Sequence, residues 1–274
     1  MGAFILYDKR RKSELDQTAV RDVFARKGFA DPLVFSLDQY ELHLYRKQLV
    51  NTDNYYVNGE NAVYMIGTAI YKGLGYQDTI RQLLEDYIND SVEYDRILGS
   101  YCAVFFVNRQ IGILNDALNV CQLFSDTEER FITSSFLAAA NAVQTLTVDR
   151  DASLEKLLTG YIVGEQTLFR ETKRVVPALW QGKIQIHRWT PVDVPQKEKN
   201  RRAGIQGRVE KIAAYMKDIE KLAAEYKPEL GLSGGYDSRL IFAAAQEVWP
   251  FSLDLHTHST EEVQIHRVEK EIVN

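Results

Sequence analysis

The chain of 274 residues is 45% hydrophobic and 26% charged, with a net charge of −5; this composition excludes a disordered polyelectrolyte and is long enough for one large or two smaller cores. A pI of about 5.6 leaves no basic field for a phosphate backbone, so no nucleic-acid partner is expected. No apolar run reaches the roughly 20 residues of a membrane span, and the charges of MGAFILYDKRRK follow its apolar run instead of preceding it as in a secretory signal; no membrane partner and a cytoplasmic location are expected.

The first 150 residues read as β-rich. Candidate strands are Phe4–Tyr7, Leu33–Phe35, Glu41–Arg46, Ala62–Tyr71, Ser100–Val107, Ile111–Asn115, Val120–Phe124 and Arg130–Thr133. They are rich in Tyr, Phe, Val and Ile and are separated by turn residues such as Asn58-Gly59. The cluster Lys9, Arg10, Arg11 and Lys12 reads as a solvated loop. One helix interrupts the strands: Ile80, Leu83, Leu84 and Tyr87 recur at helical spacing between Asp78 and Ile88, with Asp78 as its expected N-cap. The two cysteines, Cys102 and Cys121, lie in the apolar runs SYCAVFFV and NVCQLF and read as buried free thiols.

A short helix is expected over Leu154–Tyr161, then an irregular stretch and a strand, KIQIHRW. Trp180 and Trp189 read as packing anchors. Pro191–Asn200, with two prolines and several charges, reads as a linker. Beyond it Val209, Ile212, Met216, Ile219, Ala223 and Tyr226 form one helical stripe. Then come a strand Glu229–Leu232, a turn, a helix Arg239–Val248 with Leu240, Ile241 and Ala244 on one side, and a strand Phe251–Thr257. Ser259 and Glu262 suggest a capping box for a last helix with Ile265, Val268 and Ile272 inward. That β-turn-α-β-α order is the grammar of a parallel, doubly wound sheet.

The turn between the first strand and helix is Ser233-Gly234-Gly235-Tyr236-Asp237-Ser238. Two glycines there free the backbone to approach a ligand, and successive N–H groups at a helix N-terminus make an anion nest. The Ser233 and Ser238 hydroxyls add donors, and Asp237 suits a phosphate-bridging Mg²⁺. No Lys follows the turn, so it is not a Walker A loop. Gly231-Leu232-Ser233-Gly234-Gly235 also fits the GxSxG elbow of serine hydrolases, with Ser233 as nucleophile and His256, His258 or His266 as base. That alternative needs parallel strands upstream, and the preceding block reads otherwise. The same three histidines raise a zinc site as an alternative to lining a cleft rim.

SGGYDS resembles the signature of PP-loop ATP pyrophosphatases. With that turn located, GYIVGEQTLFRETKRVVPALWQGKIQIHRW resembles the connector of glutamine-dependent asparagine synthetases, and LGSYCAVFFVNRQIGILNDALNVCQLFSDTEERFITSSFLAA resembles their glutaminase core. Asn115-Asp116 stands in the place of an Arg-Asp pair and Ser134–Ala138 in that of a Ser-Glu-Leu-Lys-Ala helix. The resemblance implies an α+β, Ntn-hydrolase-like αββα sandwich over residues 1–190, followed over 201–274 by the start of an α/β PP-loop domain. It also implies ATP and Mg²⁺ at Ser233, Gly234, Gly235, Asp237 and Ser238, with Leu232 beside the adenine, a small-molecule or peptide carboxylate as substrate, and an arrangement compatible with a homodimer. A synthetase domain of the family is several times longer than this one, so the chain is expected to be short of a complete ligase. Acidic residues at Glu261 and Glu262 match a place near the ATP–metal site.

The departures from the family pattern bear on chemistry. Gly2 replaces the N-terminal cysteine nucleophile. Ile66-Gly67-Thr68 stands where an Asn-Gly-Glu strand supplies the oxyanion donor; Asn58-Gly59-Glu60 spells that motif but falls in a turn. Asp78-Thr79 is all that matches the family's Asp-Thr-Glu segment. The expectation is an ATP-dependent amide ligase lineage with no working glutaminase. The alternative is a non-catalytic pseudo-glutaminase module for binding or scaffolding.

Overall fold

A computed structural model describes residues 2–46, 52–177, 182–189, 201–233, 235–258 and 263–268. Its elements are β1 (Gly2–Asp8), α1 (Gln17–Arg26), β2 (Leu33–Leu37), β3 (Tyr40–Arg46), β4 (Tyr55–Asn58), β5 (Asn61–Tyr71), α2 (Tyr76–Ile88), β6 (Ile97–Val107), β7 (Gln110–Asn115), β8 (Leu123–Asp126), β9 (Phe131–Thr133), α3 (Phe136–Ala142), α4 (Arg150–Thr159), β10 (Thr172–Val175) and β11 (Gln185–Ile186). They continue with α5 (Arg201–Tyr226), β12 (Glu229–Gly231), α6 (Tyr236–Val248), β13 (Leu253–His258) and β14 (Val263–Val268). The protein is mixed α and β with several sheets. It divides into two compact units: Met1–Ala69 with Ile80–Glu93 and Leu98–Pro191, and Ile70–Thr79 with Tyr94–Ile97 and Val192–Asn274.

In the first unit one sheet has the order β10-β8-β9-β1-β3-β2 and the other β11-β7-β6-β5-β4. Side chains alternate between the two faces of a strand, and β1 shows both sides at work. Phe4 and Leu6 point inward, with Leu42 and Leu44, to meet Tyr64, Ile66, Cys102, Val104 and Ile113 of the second sheet. Ala3, Ile5 and Tyr7 point outward to Val20, Val23 and Phe24 of α1 and Ala138, Ala139 and Ala142 of α3. Helix α1 forms because Asp16 caps the Ala19 N–H at 2.9 Å and its apolar residues fall three and four apart. On the far side of the second sheet, Tyr87 of α2 stacks on Phe105 with centroids 3.9 Å apart. The layers therefore run helix, sheet, sheet, helix.

Several boundaries differ from the sequence expectation. Asp78 is not the N-cap of α2: the helix starts at Tyr76, the Thr79 N–H donates to Gly75 O at 2.8 Å, and Asp78 sits in the first turn, where the helix dipole favours a carboxylate. Strand β8 begins at Leu123, because the Asp116 carboxylate accepts the Val120 and Cys121 N–H groups at 2.8 and 2.7 Å and holds them in a loop. Helix α4 covers Arg150–Thr159, ends on Gly160 at φ +84°, and leaves Leu154, Leu157 and Leu158 exposed. Strand β11 is two residues long and pairs parallel with β7, a departure from the otherwise antiparallel pairing here. Lys9 to Lys12 are not merely solvated: Arg10 pairs with Asp8, Arg11 with Glu14 and Glu128, and Lys12 with Glu41.

In the second unit β12 and β13 pair parallel and β14 adds antiparallel to β13. Val263–Val268 is therefore a strand and not the expected helix. Val263-Gln264-Ile265-His266 alternates apolar and polar, so the segment carries a period of two, and pairing on β13 satisfies its backbone. Ser259, Glu261, Glu262 and Ile272, like Trp180 and the linker Pro191–Asn200, lie outside the described residues. Met216, Ala223, Ala245, Trp249, Leu253 and Leu255 form the core, and the Trp249 indole donates to Met216 O at 2.9 Å. Leu240 and Ile241 do not line it: they are 53% and 42% exposed, and α6 turns Phe242, Ala245 and Val248 inward instead.

The tightest backbone contact lies in the second sheet of the first unit. Gly67 has φ +80° and Gly99 φ +110°; a Cβ would stand 2.2 Å from Ser100 O at the first and 2.2 Å from Thr68 O at the second. Gly67→Ala should lose about 3 kcal/mol, since left-handed strain and overlap with a carbonyl each cost about 1–3 kcal/mol. Urea unfolding measures this; a midpoint unchanged from wild type would show that the approach is looser than described.

Candidate functional site

The turn at Ser233–Ser238 joins β12 to α6. The β-strand is anchored by the Leu232 N–H, which donates to His256 O at 2.9 Å and leaves Leu232 half-buried against the core. Beyond it the chain is exposed. The Ser233 N–H donates to Ser238 Oγ at 3.3 Å, the two hydroxyls are 3.3 Å apart, and the Gly235 N–H reaches Ser233 Oγ at 3.4 Å. Gly234 lies outside the described residues. Gly235 is the N-cap of α6 and no side chain caps the helix, so its first-turn N–H groups have no capping acceptor. Asp237 is in that first turn and exposed. Arg239 donates through Nε to Gly235 O at 3.2 Å and lies 4.8 Å over the Tyr236 ring, which holds a guanidinium beside the helix start. Two hydroxyls, open N–H groups and a cation thus gather at one helix end, an arrangement suited to an anion.

Ser233 Oγ is engaged with Ser238 and Gly235, and among the described residues no imidazole is one of its partners. His256 sits on β13 with its ring 3.1 Å from where a Gly231 Cβ would stand. His266 is registered opposite Leu255, and the side chains of His258 and His266 lie outside the described residues. Among the described residues no three His, Cys, Asp or Glu side chains form a metal-binding group.

A second feature lies in the first unit, around the other residues the sequence singled out. Gly2, Ile66, Gly67 and Ser100 share a cleft of about 530 Å³ with Lys27, Cys121 and Ser135. A side chain at position 2 has no room: its Cβ would be 2.8 Å from Tyr45 O and 3.2 Å from Asn54 Nδ2. Ile66 is buried, with its Cγ2 at 3.4 Å from the same point. Asn58-Gly59-Glu60 forms the β4–β5 hairpin turn, with Gly59 at φ +61°. Asn115 and Asp116 are buried; the former takes part in a side-chain bond to Asn119 at 2.8 Å, and its carbonyl accepts the Trp189 indole at 2.9 Å. Ser134 Oγ accepts the Phe4 N–H at 3.1 Å, and Ser135 caps α3.

Cys121 lines the same cleft as Gly2, a proximity in space that no pattern in the sequence signals. Gly2 and Cys121 are 119 positions apart in sequence, and only the return of the chain after β7 brings Cys121 back to β1. Its thiol is pushed up to about 12, first by burial and then by the Asp116 carboxylate, and burial raises Cys102 as well. Lys27 was also missed, because it ends α1, a helix whose Asp16 cap and Val20-Val23-Phe24 spacing were legible but unused.

No family model matches the chain, and no curated protein matches it significantly.

Two expectations follow from the cleft. Native protein at pH 8 should react slowly with a thiol–disulfide reagent, because both thiols are held protonated; two equivalents should react after denaturation. Rapid labelling of one equivalent in the native state would contradict the raised Cys121 pKa. Gly2→Cys should not confer ammonia release from glutamine, since the added side chain meets the Tyr45 carbonyl.

Proposed function

We propose that this chain carries the nucleotide-binding turn of an ATP-dependent amide ligase of the asparagine synthetase kind, with a glutaminase-like unit that has lost its chemistry. The observation that carries this is the sequence SGGYDS at a strand-to-helix junction whose helix has no side-chain cap. In such a ligase a carboxylate substrate attacks the α-phosphate of ATP, pyrophosphate leaves, and an amine then displaces AMP from the acyl-adenylate. The part assigned to this chain is electrostatic. The N–H groups at the start of α6, with Ser233 and Ser238, would take the leaving pyrophosphate oxygens, where they are worth most as charge develops. Mg²⁺ held through Asp237 would neutralise phosphate charge, and Leu232 would border the adenine.

The glutaminase-like unit is read as non-hydrolytic on the residues at its cleft: glycine at position 2, an isoleucine in the oxyanion-donor place, and a thiol held protonated. The helix–sheet–sheet–helix layering supports the Ntn-hydrolase-like comparison. The homodimer and the cytoplasmic location remain parts of this proposal; among the described residues no helix is long and apolar enough to cross a membrane.

Calorimetric titration with Mg-pyrophosphate and Mg-ATP tests the turn. Saturable binding is expected, and Asp237→Asn should weaken it about tenfold, equivalent to about 1.4 kcal/mol. The same substitution should shift folding stability by only about 0.3–1 kcal/mol, the worth of an exposed first-turn carboxylate. Ser233 should stay unlabelled by a fluorophosphonate. Stoichiometric labelling of Ser233, or no binding of either nucleotide or pyrophosphate, would overturn the proposal in favour of the hydrolase or the scaffold.

A further inference from the structure

Two clefts among the described residues of the first unit differ in how their charges are arranged. The cleft of about 400 Å³ beside Asp8 is lined by Lys183 and three arginines, and the arginines are paired: Arg10 with Asp8, Arg11 with Glu14 and Glu128, and Arg130 with Asp126. The cleft beside Gly2 has one cation, Lys27, and it has no such partner. Among the described residues no carboxylate lies within ion-pair distance of its ammonium, whose hydrogen bond goes to Ser135 Oγ at 3.0 Å. Lys27 is an exposed residue at the rim of the cleft, and desolvation lowers its pKa with no counter-charge to offset it.

Ser135 completes the arrangement. Its oxygen accepts from the Ala138 N–H at 3.3 Å and from Lys27 Nζ at 3.0 Å. A hydroxyl has two acceptor sites and one proton. With both acceptor sites occupied, the Ser135 O–H remains as a donor, and no acceptor for it stands among the described residues. Ser135 is only 6% exposed, which makes an unmet donor costly. Two donors 3.0 Å apart, one charged and one neutral, match the two oxygens of a carboxylate. Phe24, Phe29 and Phe124 give the wall three rings, beside the uncharged Ser100, Gln122 and Ser134. A single cation suits a monoanion, whereas a phosphate dianion calls for more donors than this cleft presents.

We propose that the Gly2–Lys27 cleft binds a small monocarboxylate with an apolar or aromatic body, its carboxylate bridging Lys27 Nζ and Ser135 Oγ and its body lying against the phenylalanines. This site is separate from the phosphate turn and does not depend on the ligase proposal. The cleft volume, about 530 Å³, is within the range of small-molecule sites.

The test is calorimetric titration of the whole chain with 3-phenylpropionate, its amide and acetate. The acid should bind saturably. The amide should bind at least about tenfold more weakly, because it lacks the charge, and acetate likewise, because it lacks the body. Lys27→Gln should lose the preference for acid over amide while Lys27→Arg retains it. Thermal melting of the Lys27 variants should remain near that of wild type, which separates loss of binding from loss of fold. Asp237→Asn should bind the acid as wild type does, so a failure of the phosphate turn leaves this result distinct. Equal binding of acid and amide, a Lys27→Gln variant that still prefers the acid, or no saturable binding of any of the three would overturn the proposal.

Discussion

The close approach of β5 and β6 at Gly67 and Gly99 sets the geometry of the first unit. Each glycine faces a carbonyl of the other strand at a distance that no Cβ tolerates, and each has a positive φ. This lets two long strands run side by side while their inner faces, Tyr64 and Ile66 on one and Cys102 and Val104 on the other, meet the Phe4–Leu6 face of β1. It also makes the floor of the cleft from backbone. Gly2 and Gly67 contribute no side chain there, and Ile66 borders the cleft from the core. The charge in that cleft therefore comes from its wall, where Lys27 meets the buried Ser135 hydroxyl.

Most strands were legible because alternation and aromatic content survive in a half-buried antiparallel sheet; β1, β3, β5, β6 and β7 fall within a few residues of their expected ranges. What failed had competing local signals. Val120 resembles a strand start, but the Asp116 carboxylate captures two N–H groups there, a bond between side chain and backbone that no periodicity reveals. Val263–Val268 carries residues spaced for both helix and strand, and a neighbouring strand decides. Leu240 and Ile241 suggested the inner side of α6, yet Phe242 and Ala245 take it: with several apolar residues in succession, the buried stripe is chosen by the partners Met216 and Trp249 and not by the helix alone.

The candidate site was legible only where its residues are adjacent. SGGYDS is a contiguous string, and the strand before it and the helix after it are both present. The Arg239–Tyr236 contact that supports the turn follows from the same string once the helix starts at Tyr236. The Gly2 cleft is assembled from segments far apart in sequence: β1, the end of α1, the middle of β5 and the loop before β8. Gly2 and Ile66 were found by likeness to a family pattern. Lys27, Cys121 and Ser135 carry no pattern of their own and join the site only through the sheet order β8-β9-β1.

The two anion-friendly places differ in the charge they suit. At the start of α6 the donors are backbone N–H groups and hydroxyls exposed to solvent, with Arg239 alongside, an arrangement that spreads over several oxygens. At the Gly2 cleft there is one ammonium, one buried hydroxyl proton and a wall of rings. Cys121 shows how local that second field is. Were the Lys27 ammonium felt at the thiol, it would favour the thiolate and pull the pKa down. The thiol is instead pushed up to about 12 by burial and by Asp116, whose carboxylate accepts the Cys121 N–H. The cleft therefore holds a cation at its rim and a protonated, unreactive thiol deeper in. That division suits retaining a carboxylate without attacking it.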